Sequence, residues 1–106
     1  MAYTYQVGFE ISHEQMEQLR IGAALEKILG YLRILLPNQM GFINVSAMYT
    51  LDTPGLTQLI VQSTWDQWED LQTHQNSGLA EQKVLAEFEP HIALEHLTVH
   101  VYEEVS

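Results

Sequence analysis

The 106-residue sequence contains no cysteine. Disulfides, thiolate nucleophiles, cysteine-ligated zinc and iron–sulfur clusters are excluded together. Basic residues are scarce too: four Lys and Arg face fourteen Asp and Glu, a net charge of −10. Such a field repels phosphate backbones and acidic lipid surfaces, so neither a nucleic-acid nor a membrane-surface role is expected. No apolar run approaches the ~18 residues of a membrane span. The opening MAYTYQVGFEI lacks the basic segment and apolar core of a signal peptide, so a soluble, cytoplasmic protein is the expectation. Charged residues make up only 17% of the chain against 46% hydrophobic ones. One small core does not need that much apolar surface, which points to a homo-oligomer.

What is present reads as alternating elements of one domain spanning residues 1–106. Tyr3, Tyr5, Val7, Phe9 and Ile11 alternate with polar or small residues, the pattern of a half-buried strand. Ser12 with Gln15 forms a capping-box pattern, followed by Met16, Leu19, Ala23, Leu25, Ile28, Leu29, Leu32, Leu35 and Leu36 at roughly helical spacing. Pro37-Asn38 ends that helix, and Gly30 within it suggests a bend or close packing. A second strand is expected over Phe42 to Leu51, with Ile43, Val45, Ala47, Tyr49 and Leu51 on one face. The turn Asp52-Thr53-Pro54-Gly55 returns the chain into a third strand, about Leu59 to Thr64. Asp66 is placed to cap a helix carrying Trp68, Leu71 and His74. After Asn76-Ser77-Gly78 a helix resumes over Leu79 to Phe88, burying Leu79, Leu85 and Phe88 and ending at Pro90. A fourth strand runs from about Leu94 to Val105.

The order β-α-β-β-α-β predicts an α+β, ferredoxin-like fold: a four-stranded antiparallel sheet with helices on one face. The other face would hold Gln6, Asn44, Ser46, Met48, Ile60, Gln62, Thr64, His96, Thr98, His100 and Tyr102, with Glu10 its main charge. Polar but uncharged side chains suit contact with a second sheet, so a homodimer through the sheet face is expected.

From Gly41 to His74 the sequence resembles the antibiotic biosynthesis monooxygenase-type domains of the dimeric α/β-barrel superfamily. The resemblance rests on Gly41-Phe42 entering a strand, Leu51-Asp52-Thr53-Pro54 at the turn, and Trp65 ending the third strand. Asp66 to Asp70 then open the helix, His74 stands nine residues after Trp65, and Ser77 precedes the next apolar helix. It implies a homodimeric barrel, with a small-molecule pocket between helices and sheet in each subunit. Family chemistry ranges from cofactor-free oxygenation of phenolic or quinol-type substrates to haem degradation. The haem-degrading branch uses an Asn on strand one, and here that strand offers only Gln6, so haem degradation is not expected. No cofactor and no metal are expected.

Candidate catalysis falls to His74, whose imidazole can accept a phenolic proton or instead bond a backbone carbonyl at a helix end. Trp65 and Trp68 can stack a flat substrate, and Tyr5 and Tyr49 can line its pocket, although all four also suit a core. His96 and His100 sit four apart on a strand, roughly 13 Å, too far for one metal. A non-catalytic ligand-binding or stress-associated dimer is the competing expectation.

Overall fold

The computed structural model describes residues 1–14, 20–52, 54–89 and 91–105. Strand β1 (Tyr3–Ser12) is followed by helix α1 (Ile21–Leu35), strands β2 (Phe42–Tyr49) and β3 (Leu56–Trp65), helices α2 (Trp68–Ser77) and α3 (Leu79–Phe88), and strand β4 (Thr98–Glu103). Every pairing is antiparallel, in the order β2-β3-β1-β4. The expected α+β, ferredoxin-like plan is therefore present, with the second helical region broken in two. Among the described residues no helix is long and apolar enough to cross a membrane.

The core lies between the sheet and its helices. Tyr5, Val7, Phe9 and Ile11 of β1 are all buried, as the alternation predicts. Helix α1 covers them with Ile21, Leu25, Ile28 and Leu32, a stripe at i, i+4, i+7 and i+11. Ala23, expected in that stripe, is exposed, and Leu35 is only partly covered. Residues 15, 16 and 19, and with them the Ser12–Gln15 cap, lie outside the described residues, as do Thr53 of the turn and Pro90. Among the described residues α1 starts after Arg20, a non-glycine residue in the left-handed region at φ 48°.

Gly30 marks no close packing. A methyl group at Gly22 or at Gly30 would meet nothing within 4 Å. Both are exposed, Gly30 in the interior of α1 and Gly22 in its first turn. Gly30→Ala should therefore stabilise the protein by about 1 kcal/mol, and Gly22→Ala by less, read as a raised denaturation midpoint.

Three further expectations are corrected. In β2 the register shifts between Phe42 and Asn44, so Phe42 pairs with Trp65 and turns toward the core, whereas Ile43 is 53% exposed. A bulge inserts one residue and inverts the alternation ahead of it. In α3 the buried residues are Ala80, Val84 and Phe88, with Leu79 and Leu85 only packed at the margin. Gly78, at φ 65°, caps α2 and starts α3, so the helical phase resets there. His96 belongs to a 3-10 turn (Leu94–His96), where its Nδ1 accepts the Ala93 amide at 2.9 Å, and β4 begins only at Thr98.

Candidate functional site

Strands β1 and β3 and helices α2 and α3 converge on one imidazole. His74, in the last turn of α2, is 1% exposed. Its ring stacks on Trp65 at 4.7 Å between centroids and meets the Tyr5 ring edge-on at 5.2 Å. Trp65, fully buried at the end of β3, donates its Nε1–H to Ser63 Oγ at 2.8 Å and touches Phe42 on its other side. Both indole and imidazole are thereby fixed by packing from two strands.

Tyr5 reaches past His74 to α3, where its hydroxyl donates to Glu81 Oε1. Among the described residues, Nδ1 and Nε2 of His74 and Oε2 of Glu81 are buried with no hydrogen-bond partner. Each such atom costs the fold about 1–3 kcal/mol, so a cluster of them is not a packing solution. Burial lowers the proton affinity of His74 from its ordinary value near 6.5, and the charge of Glu81 raises it back in part. Burial, then the hydrogen bond and charge of Glu81, push the Tyr5 phenol well above its usual range. At neutral pH the site therefore presents a neutral imidazole and a protonated phenol.

The depressed affinity has a thermodynamic sign. An imidazole that is harder to protonate when folded contributes stability that is present above pH 6.5 and lost as pH falls through that value toward the folded one. Melting temperatures taken between pH 8 and pH 5 should decline, and His74→Leu should flatten the part of that decline due to His74.

The other candidate residues lie apart. Trp68 opens α2 with 40% exposure and packs edge-on against Tyr3 at 5.8 Å, so it sits at the rim and not on an inner face. Asp66 does not cap α2. Gln67 occupies the cap position, and the Asp66 amide bonds Gly41 O at 2.8 Å. Tyr49 is 40% exposed and lines a recess of about 500 Å³ between α1 and β2, with Leu25, Glu26, Leu29, Met48 and Leu51. That volume suits a small molecule and its lining is largely apolar, but His74 is not among the residues that form it. Across the sheet, a more polar groove of about 680 Å³ is lined by Gln6, Glu10, Gln58, His91, His96, His100 and Tyr102. Among the described residues, no group of three or more His, Asp or Glu could hold a metal ion.

Sequence reasoning reached Trp65, Tyr5 and His74 but missed Glu81. Glu81 stands seven residues before Phe88, two helical turns away on the same face, and that spacing was the available signal.

No protein-family model matches the sequence, and no curated protein matches it either. Solved structures do. A candidate antibiotic biosynthesis monooxygenase from Deinococcus radiodurans superimposes with a TM-score of 0.63 at 20% identity, over 100% of this chain and 94% of that one. SnoaB, a cofactor-independent oxygenase from Streptomyces nogalater, gives a TM-score of 0.62 at 10% identity, over 99% and 94% of the two chains. This is the fold of the antibiotic biosynthesis monooxygenase-type domains. A shared fold does not by itself carry an activity. A de novo designed protein, Foldit4, also matches, with a TM-score of 0.58 at 9% identity over 99% of this chain and 100% of its own.

Proposed function

We propose that the protein is a cofactor-free monooxygenase-type enzyme acting on a small, planar phenolic or quinol-type molecule bound between helices and sheet. The observation that supports this reading is the neutral, buried His74 whose two ring nitrogens have no partner among the described residues. His74 accepts the substrate's hydroxyl proton, and the resulting anion is electron-rich enough to react with dioxygen directly. One oxygen atom stays on the oxidised carbon, and the other leaves as water with two substrate hydrogens. Trp65 holds the imidazole in plane. Trp68, at the rim of the same end of the sheet, contacts the flat substrate as it enters, whereas Tyr49 belongs to the separate recess.

The working unit in this reading is a homodimer formed through the open sheet faces. Its support is the exposed, uncharged surface of Asn44, Met48, Thr98, His100 and Tyr102, where an open face would ordinarily collect Lys and Glu.

A second reading is favoured by a different observation. His74 is packed between Trp65 and Tyr5 at 1% exposure, while the recess beside Tyr49 lies elsewhere. On that reading the protein is a non-catalytic dimer that binds an apolar ligand in the recess. Oxygen uptake with simple benzoquinols and naphthoquinols separates the two. Protein-dependent uptake that requires His74 supports the enzyme. Saturable shifts of the Tyr49 ring resonances by the same quinols, with no oxygen consumed, support the binder and remove the first reading.

A further inference from the structure

We infer that Glu81 is the positioning partner of His74, and that the two side chains, bridged by Tyr5, form a buried pair that recognises one hydroxyl group. This rests on the reading that His74 accepts the substrate proton, and it names the residue through which that acceptance is controlled.

Three observations converge. The Tyr5 side chain touches both members: its ring meets His74 at 5.2 Å, and its hydroxyl donates to Glu81 Oε1. That bond fixes one carboxylate oxygen and leaves the second, Oε2, buried and without a partner among the described residues. Finally, both ring nitrogens of His74 are in the same condition. A neutral imidazole has one donor and one acceptor nitrogen, and a carboxylate only accepts. The set thus holds one donor and two acceptors, and the two ring nitrogens diverge, so a single hydroxyl answers one of them. Its O–H donates to the acceptor nitrogen of His74, whether it belongs to a water molecule or to a phenol.

Proton transfer within this pair balances without further reagents. The hydroxyl O–H bond breaks and an N–H bond forms on the imidazole, giving an oxyanion and an imidazolium. The Glu81 carboxylate compensates the imidazolium charge in a buried place that bulk solvent screens little. The titratable groups facing His74 are Tyr5 from β1 and Glu81 from α3. Strand β3 contributes only Trp65 and Ser63. On α2 itself, the Asp70 carboxyl lies beside Gly41. Glu81 is thus the one facing carboxylate among the described residues that can answer a charge on His74.

The test reads His74 directly. Its Cε1–H resonance is titrated by NMR in the parent, in Glu81→Gln and in Glu81→Asp, alone and with a non-oxidisable phenol. Glu81→Gln keeps an acceptor for Tyr5 and removes the charge, so the His74 proton affinity should fall about tenfold. Glu81→Asp should shift it in the same direction by less, which covers the case in which the glutamine variant does not fold. Added phenol should shift the parent's His74 resonance if a phenolic hydroxyl enters the pair. A water-only site shows the Glu81 effect with no response to phenol; the pair then stands and phenol recognition is overturned. An unchanged His74 titration in both variants overturns the pairing. If His74 moves with Glu81 but no quinol is ever oxidised, the pair holds and the oxygenase reading fails. If quinols are oxidised while the titration ignores Glu81, the oxygenase reading holds and the pairing fails.

Discussion

Gly41→Ala should lower the stability of the protein by about 3 kcal/mol, visible as a reduced denaturant midpoint at unchanged slope. Gly41 has φ 81°, a region in which a side chain is strained. A Cβ there would also lie 2.8 Å from Asp70 Cβ and closer still to the Asp70 carboxyl. Rotating the carboxylate away is therefore not enough, and the first turn of α2 must move. The Gly41 carbonyl already accepts the Asp66 amide at 2.8 Å, so this position ties the start of β2 to the start of α2. Gly55 supplies the control. Its φ is 76° but nothing lies within 4 Å of an added Cβ, so Gly55→Ala should show only the conformational part, about 1 kcal/mol. Equal losses at the two positions would mean that the Asp70 contact contributes nothing.

His74→Leu should reduce quinol oxidation by roughly 10²- to 10⁴-fold while the melting temperature holds or rises. The two measurements together are what decide. A buried imidazole with two unpartnered nitrogens is a poor core residue, and a leucine of similar volume removes that penalty while retaining contact with Trp65 and Tyr5. A structural histidine would behave in the opposite way, with several degrees of melting temperature lost on substitution and no effect on turnover. A variant that is stable and oxidises quinols like the parent would remove His74 from the chemistry.

Most of the strand and helix order was legible because each segment keeps one period along its length. β1 alternates without interruption, and α1 repeats its apolar positions through Leu32. Two of the misreadings share a physical cause: a single residue that shifts the phase. The bulge at Ile43 passes the core position to Phe42, and the left-handed Gly78 rotates α3 so that Ala80 and Val84 face inward in place of Leu79 and Leu85. Composition could not reveal either, since leucine outranks alanine on any hydrophobic scale. Glu81 was concealed for another reason, because an acidic residue in a first helical turn reads as a dipole partner. His74 and Trp65 were singled out together by the resemblance to antibiotic biosynthesis monooxygenase-type domains. That their rings stack, and that Tyr49 belongs to another recess, depends on contacts between elements distant in sequence.

The pairing of β1 with β4 sets how the molecule acquires its structure. Residue 3 lies opposite residue 103, and the Glu104 amide bonds Ala2 O at 2.8 Å, so the central strand gains its second neighbour only when the far end of the chain arrives. Closing a loop of that length is slow compared with forming a hairpin such as β2–β3. Until it closes, one edge of β1 stands unpaired. Refolding should therefore show early hairpin protection in hydrogen exchange and late protection of those Tyr3–Gly8 amides that face β4, with aggregation most pronounced in the interval between them.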